Sequence, residues 1–240
     1  MRSHRFFADI KLENNTTAKL PSEVSHHCVQ VLRYNVGDSL TLFNGDGFDY
    51  SAKIVELNKK ACQVTIESKS KNHSESKLKI HIYQSIAKGD KMDWLLQKSV
   101  ELGVVSVTPV LSERSNVKLD AKRLEKKIQH WQKVVISACE QSGRAVIPKV
   151  HTPIRFDQYK PQSEFALYLH PQASNSISNI GKAESIDILI GPEGGFSDLE
   201  ISDFNQRQFT DINLGKRILR TETASLAIIS ILQNLYGDLS

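Results

Sequence analysis

Two strand–loop–helix patterns lie close together between residues 186 and 234, and they constrain the fold more than any other feature of the sequence. The apolar run 186–190 stops at Gly191, which is typical of a buried parallel strand. Residues 191–195 hold three glycines and one proline, too many backbone breakers for a regular element. Ser197 and Glu200 have the spacing of a capping box, so a helix is predicted to begin there.

The second pattern begins with Ile212 and Leu214 and turns at Gly215. Apolar residues in the segment 223–234 then recur at the spacing of a well-buried amphipathic helix. In parallel sheets, ligands bind outside the carboxyl ends of the strands. The two patterns together therefore predict a ligand site at that edge of the sheet.

The glycine loop 191–195 does not match the known phosphate-binding loops. It lacks the lysine of G-x-x-x-x-G-K-[ST] and the spacing of G-x-G-x-x-G, so a nucleotide held in the usual way is not indicated. One interpretation is a simple turn from strand to helix. The other is a loop whose bare backbone amides bend around a ligand. The second fits better, because two glycine turns are predicted at the same sheet edge.

The N-terminal residues 1–72 are predicted to be all-β. Asn44-Gly45-Asp46-Gly47 is a strong hairpin signal between two alternating apolar segments. A small barrel fits this series of short strands. The polar stretch 69–79 is interpreted as a linker, which places the domain boundary near Asn72 and gives domains of residues 1–72 and 73–240.

From Leu78 onward, predicted strands and helices alternate. The segment 92–102 is an amphipathic helix that ends before Gly103, and a long helix over 124–142 ends before Gly143. Alternation of this kind is typical of an α/β domain with a mostly parallel sheet.

The composition is that of an ordinary globular protein with a net charge of +4, which permits an anionic partner without requiring one. No apolar run approaches the roughly 20 residues of a membrane helix. The three cysteines are odd in number and widely spaced, and His26-His27 has no matching ligand spacing. We therefore expect a cytoplasmic protein with no metal and no membrane association.

Two long motifs resemble a known family: IGPEGGFSDLE and LGKRILRTETA. They are similar to the SPOUT class of S-adenosylmethionine-dependent RNA methyltransferases, and more narrowly to the RsmE family, which methylates N3 of a uridine in 16S ribosomal RNA. The resemblance covers the whole chain. It also includes the segments RFF, HHCVQVLRYNVGD, KGDKMDWLLQKSVELGV and EQSGR.

The resemblance implies a C-terminal SPOUT domain with a trefoil knot, preceded by a PUA-like β-barrel that binds RNA. It implies a homodimer formed through the knot region, with the helix 223–234 as part of the interface, and the small ribosomal subunit or its 16S RNA as the partner. It implies that S-adenosylmethionine lies bent between three loops. The matching residues are Leu169, His170, Pro171, Ile190, Gly191, Pro192, Glu193, Gly194, Gly195, Leu214, Gly215, Ile218, Leu219, Arg220, Thr223 and Ala224.

Methylation of uracil N3 requires removal of a proton, so a catalyst should position N3, stabilise the uracil anion and accept the proton. Arg220 and Arg144 are candidate cations, and Glu222 is a candidate proton acceptor that Thr221 and Thr223 could orient. A first-turn carboxylate that stabilises its helix is the alternative for Glu222, and a surface ion pair is the alternative for Arg220.

Scattered basic residues are candidates for RNA binding. Each one alone is typical of a solvated charge, but together they could hold phosphates along one cleft. The set comprises Arg2, Arg5, Arg33, Lys88, Lys91 and Arg114. Two further functions stay open: a SPOUT methyltransferase for another base or a ribose hydroxyl, and an RNA-binding factor without catalysis. The intact glycines favour an enzyme.

Overall fold

The computed structural model describes residues 4–58, 61–87, 89–115 and 121–239. It consists of two compact units, Met1–Glu75 with Cys139–Ile147, and Ser76–Ala138 with Pro148–Ser240. The predicted boundary near Asn72 lies just before the first crossing between the units. The sequence did not predict the return of residues 139–147 to the first unit.

The first unit contains one five-stranded sheet in which β1 is parallel to β3 and the other pairs are antiparallel. Its spatial order is β1-β3-β4-β5-β2, so the sheet described here is open, and the predicted closed barrel is not formed. Closure would require the two edge strands to pair, and each is only three residues long. The strands are β1 (Arg5–Phe7), β2 (Thr17–Lys19), β3 (Ser39–Phe43), β4 (Phe48–Asn58) and β5 (Ala61–Lys71).

Two details of the first unit correct the sequence prediction. A helix, α1 (Ser22–His26), continues into a π-helical turn (His27–Val31), so the N-terminal region is not all-β. Val24 and Cys28 are buried, and their four-residue spacing is helical. Strand β5 also extends through Lys71 by pairing with β4, so the predicted linker over 69–79 begins inside a strand.

The second unit is built on a six-stranded sheet in which every pair is parallel, which confirms the predicted α/β class with a parallel sheet. The spatial order is β11-β9-β10-β6-β7-β8. Strand β8, with two residues, is too short to show a pattern in the sequence. The strands are β6 (Lys79–Ser85), β7 (Ser106–Val110), β8 (Lys149–Val150), β9 (Phe165–Leu169), β10 (Ser185–Ile190) and β11 (Thr210–Ile212).

Four further helices are α2 (Lys91–Glu101), α3 (Ala121–Ser142), α4 (Asp198–Gln206) and α5 (Thr221–Tyr236). Gly103 and Gly143 follow α2 and α3 with φ of 84° and 87°, which confirms both predicted helix ends. The capping box that begins α4 is also confirmed: Ser197 N donates to Glu200 Oε2 at 2.8 Å, and Glu200 N donates to Ser197 Oγ at 3.2 Å.

Two groups of apolar side chains pack in the second unit, an aromatic cluster around α4 and the contact between α5 and α2. An aromatic cluster anchors α4 and the loop that precedes it, with Phe196 and Phe204 ring centroids 5.0 Å apart in an edge-to-face arrangement. Helix α5 packs on α2 and buries Ile228, Ile229 and Leu232. In the described part of the chain, no helix is long and apolar enough to cross a membrane, and no group of side chains could hold a metal ion.

Candidate functional site

A cavity of about 600 Å³ lies at the carboxyl edge of the parallel sheet. Three chain segments form most of its wall: 169–172 from the end of β9, 190–196 from the end of β10, and residues from 212, the end of β11, to 224, in the first turn of α5. This is the edge at which the two strand–loop–helix patterns predicted a ligand site.

The predicted cofactor-binding residues are brought together around this cavity, with the exception of Thr223. Those that line it are Leu169, His170, Pro171, Ile190, Gly191, Pro192, Glu193, Gly194, Gly195, Leu214, Gly215, Ile218, Leu219, Arg220 and Ala224. The sequence did not assign Gln172, Phe196 and Ile212 to the wall, whereas Arg217 and Thr221, which also line it, lie inside the predicted third loop, residues 214–224. Gln172 and Phe196 each follow a predicted loop directly and Ile212 precedes one, so all three lie just outside the residues that the resemblance assigns to the cofactor.

The glycine loop after β10 has a backbone conformation that favours glycine at one position. Gly195 has a φ of 69°, which is unfavourable for a residue with a side chain. A Cβ on Gly191 would lie 3.4 Å from both Gly195 C and Phe196 Cζ, which is an ordinary packing contact, so the space around Gly191 does not by itself require glycine. Arg114 Nη1 donates to Gly194 O at 3.2 Å from outside the loop. The loop therefore presents its backbone to the cavity in a fixed form.

The loops after β9 and β11 are joined by Asn213. Its Nδ2 donates to Pro171 O at 2.6 Å, and its Oδ1 accepts from Gly215 N at 2.6 Å. Gly215 has a φ of 104°, so the turn that follows also depends on glycine. One amide side chain therefore fixes two walls of the cavity relative to each other.

The start of α5 is joined to the glycine loop by Thr221, whose hydroxyl donates to Gly191 O at 2.8 Å. The same hydroxyl accepts from Gln84 Nε2 at 3.0 Å. On either side of Thr221 in the chain lie the two predicted catalytic residues of this helix end. Arg220 is exposed and lines the cavity, whereas Glu222 lies outside the wall.

Lys91, whose RNA-binding role stays a prediction, lies between two carboxylates. Its Nζ is 3.1 Å from Glu193 Oε1 in the glycine loop and 3.8 Å from Glu222 Oε2 on α5. Glu222 Oε2 is buried and accepts no hydrogen bond from any residue that the structure describes. The lysine thus provides an electrostatic connection between the two elements.

Two other basic candidates, Arg144 and Arg5, form ion pairs with carboxylates. Arg144 belongs to the first unit, has a side chain that is 3% exposed, and binds Glu75 through Nε at 3.0 Å and Nη2 at 2.6 Å. Arg5 pairs with Asp49 at 2.7 Å in the same unit. These contacts are structural, and the substrate roles of both arginines stay predictions.

Two more RNA-binding candidates differ in what the structure gives for them. Arg33 is exposed in the first unit with a φ of 54°. Arg114 contributes to the cavity wall in the second unit. Arg2 and Lys88 lie outside the described residues.

Fold and site together define an α/β protein with a ligand cavity at the carboxyl edge of a parallel sheet. A family model described as an RNA methyltransferase domain matches residues 74–233, and one described as an RNA methyltransferase PUA domain matches residues 20–67. The class of the protein is therefore that of RNA methyltransferases with an N-terminal PUA domain.

Full-length relatives narrow this class. Ribosomal RNA small subunit methyltransferase E of Buchnera aphidicola is 38% identical, over 100% of this chain and 99% of its own length. The protein of that name from Neisseria gonorrhoeae, solved with S-adenosyl methionine, is 37% identical with a TM-score of 0.93 over 100% of both chains. A Legionella pneumophila protein solved with its cofactor SAM is 39% identical with a TM-score of 0.96, also over 100% of both chains. The chain belongs to the ribosomal RNA small subunit methyltransferase E family, which confirms the resemblance seen in the motifs.

Proposed function

We propose that this protein transfers the methyl group of S-adenosylmethionine to N3 of a specific uridine in 16S ribosomal RNA. The observation that carries this proposal is the three-loop cavity at the carboxyl edge of the sheet, in a chain that is full-length similar to small-subunit RNA methyltransferases.

The cavity suits S-adenosylmethionine in size and in chemistry. Its volume falls within the range of small-molecule sites. Glycine backbone and apolar side chains such as Leu169, Ile190 and Leu219 form much of the wall, which fits an adenosine ring system held by main-chain groups. The loops 169–172, 190–196 and 212–224 would hold the cofactor, whose sulfonium supplies an activated methyl group when bound.

The residues of the chain would then act on the uracil. Arg220 presents an exposed guanidinium at the cavity wall, where it would stabilise negative charge that develops on a uracil oxygen as N3 loses its proton. Glu222 is the proposed proton acceptor, and its Oε2 has no hydrogen-bond partner among the described residues. Its place in the first turn of α5 keeps helix stabilisation open as the alternative.

Exposed arginines on the cavity wall would guide the RNA. Arg114 and Arg217 lie there with Arg220, and phosphate contacts by such residues position a nucleic acid without reading its sequence. We assign further RNA contacts to the first unit, which contains the PUA match, with Arg5 and Arg33 as candidates. A ribosomal substrate is in keeping with a cytoplasmic location.

We also propose that the second unit is knotted and that the protein forms homodimers through this region. The knot is what the resemblance of the motifs implies, and the hydrogen bond from Thr221 to Gly191 O joins the start of α5 to the loop after β10. Two apolar residues of α5, Ile231 and Leu235, are 40% and 49% exposed and would be covered by a second copy.

The test is transfer of labelled methyl groups from S-adenosylmethionine to small ribosomal subunits that lack the modification, followed by nucleoside analysis. Label in 3-methyluridine is the expected result. Label on another nucleoside would support the proposed cofactor but contradict the proposed target base. Bound cofactor without transfer to any RNA would indicate a binding factor and contradict the proposed enzyme.

A further inference from the structure

A buried polar network connects strand β6 to the wall of the cavity. Gln84, near the end of β6, is 0% exposed, and so is Ser225 on α5. Gln84 Nε2 donates to Ser85 O and to Thr221 Oγ1, each at 3.0 Å, and Gln84 Oε1 accepts from Ser225 Oγ at 2.8 Å. Burial of such an amide is tolerated only when its hydrogen bonds are made, and both of its protons are used here.

The orientation of the network follows from one acceptor. Ser85 O can only accept, so the Gln84 atom that faces it must be the nitrogen. The second proton of that nitrogen points at Thr221 Oγ1, which must then accept. The hydroxyl proton of Thr221 is therefore directed at Gly191 O, at 2.8 Å. Each hydrogen bond determines the direction of the next one.

The network ends at two parts of the cavity. Gly191 and Thr221 both line it, and Arg220 and Glu222 flank Thr221 in the chain. Strand register places Gln84 beside Ile190, the last residue of β10 before the glycine loop. Apolar side chains could pack in this interior without any requirement for hydrogen bonds, so the polar network contributes directionality rather than burial.

We propose that Gln84 is a positioning residue for methyl transfer, acting through Thr221 on the Gly191 carbonyl and on the first turn of α5. This inference rests on the proposed function, because it concerns how the glycine loop, which would hold the cofactor, is placed relative to Arg220 and Glu222, which would act on the uracil. A displacement of about 1 Å at a reacting pair can cost a large factor in rate.

A second buried glutamine provides a matched control at the other end of α5. Gln233 is also 0% exposed; its Oε1 accepts from Ser76 Oγ at 2.7 Å, and its Nε2 donates to Leu102 O at 3.0 Å. Neither of these partners lines the cavity. Gln84→Met and Gln233→Met thus each remove a buried side-chain amide, one that contacts the start of α5 and one that lies near its end.

The experiment measures unfolding midpoint, S-adenosylmethionine affinity by calorimetry, and single-turnover methyl transfer at saturating cofactor. Gln84→Met and Thr221→Val should each reduce cofactor affinity or the transfer rate about tenfold, and the double variant should lose little more, because both act through one chain of bonds. Thr221→Ser, which keeps the hydroxyl, should recover to within about twofold of the unchanged protein. Ser85→Ala removes a neighbouring buried hydroxyl that has no hydrogen-bond partner among the described residues and should change neither.

Gln233→Met should lower the unfolding midpoint but leave the affinity and the transfer rate of the folded protein within about twofold. Thr221→Val with unchanged affinity and rate would overturn the inference, as would equal losses in Gln233→Met. If the unchanged protein bound no S-adenosylmethionine, the proposed function itself would fall. If the unchanged protein bound S-adenosylmethionine and transferred methyl groups, and the Gln84 and Thr221 variants did so equally well, only the positioning role would be contradicted.

Discussion

The two edges of the parallel sheet use polar residues in opposite ways. Toward the amino edge, Asp187 is 0% exposed and accepts hydrogen bonds from Tyr159 Oη at 2.6 Å, Gln162 N at 3.0 Å and Ser163 Oγ at 2.6 Å. At the carboxyl edge, by contrast, Arg220 and Arg217 are exposed on the wall of a cavity. Asp187 and its donors bind each other, whereas Arg217 and Arg220 are available to a ligand.

The difference follows from how the chain passes each edge. The loops at the carboxyl edge contain Gly195 and Gly215 at positive φ, and they leave a space that their own side chains do not fill. Near the amino edge, Tyr159 packs edge-to-face on Tyr83 with ring centroids 4.5 Å apart, beside Asp187. Substitutions near the amino edge should therefore alter stability, and those at the carboxyl edge should alter chemistry.

The largest effect on chemistry is expected for Arg220→Ala. Removal of a cation that stabilises charge in the transition state should lower the single-turnover rate about 100-fold or more, with cofactor affinity within about threefold. Rapid-quench methyl transfer to ribosomal RNA measures the rate. Lys216→Ala, an exposed residue outside the cavity wall, is the charge-matched control. An unchanged rate in Arg220→Ala would remove Arg220 from the catalytic residues.

Asp187→Ala should give the converse result. It leaves the Tyr159 hydroxyl and two neighbouring donors without their acceptor, at a cost of about 2–3 kcal/mol in the free energy of unfolding. In the unchanged protein, burial is the main cause that raises the pKa of Tyr159, followed by the hydrogen bond to Asp187. Denaturant titration measures the change.

Asp203→Ala is the matched control for that measurement. Asp203 forms an ion pair with Arg207 at 3.0 Å near the surface, and we expect its loss to cost no more than about 0.5 kcal/mol. The contrast between the edges predicts that folded Asp187→Ala binds the cofactor and transfers methyl groups normally. A loss of cofactor affinity or transfer rate as large as the loss of stability would contradict it.

Lys91→Met should have an intermediate effect. Removal of the cation leaves Glu193 and Glu222 to repel each other across the glycine loop and α5, and we expect about a tenfold loss of transfer rate. Affinity for RNA and its dependence on salt should stay unchanged. A salt slope lower by about one would instead assign Lys91 to a phosphate contact, as the sequence predicted.

The sequence predicted the location of the cavity because its signals are local. Glycines at 191–195 and 215 and the Ser197–Glu200 capping box act within a few residues, so they are readable without a fold. The family motifs then supplied the cofactor and the reaction. Nearly all of the predicted cofactor-binding residues line one cavity for this reason.

The connections between the segments could not be predicted in the same way. Thr221 and Gln84 are 137 positions apart, and Lys91 and Glu193 are 102 positions apart. Periodicity places each residue on an element but does not say which elements meet. The same limit affected the first unit, where pairing between strands decides whether a sheet closes, and where the helix at Ser22–His26 has too few residues for a clear period.

The smallest effect is expected near the amino edge, from pH. Burial lowers the pKa of His81, whose Nδ1 is 2.7 Å from Ser106 Oγ; Asp187 opposes this shift, and Lys79 adds to it. The pKa of His151 is lowered as well, by burial, Lys149 and His81. The unfolded chain therefore binds these protons more readily than the folded protein does, and stability should fall as pH drops below about 6.5, the ordinary histidine value.

Each proton that only the unfolded chain binds lowers the free energy of unfolding by at most about 1.4 kcal/mol for each pH unit of acidification. We expect His81 to contribute less than this maximum. His81→Asn keeps a polar atom near the position of Nδ1 and should flatten the decline in unfolding free energy between pH 7 and pH 5. His26→Asn, at an exposed position of the first unit, is the control and should leave the slope unchanged. An equally steep decline in His81→Asn would show that the acid sensitivity arises elsewhere, and that the hydrogen-bonded groups near the amino edge do not respond to pH through this histidine.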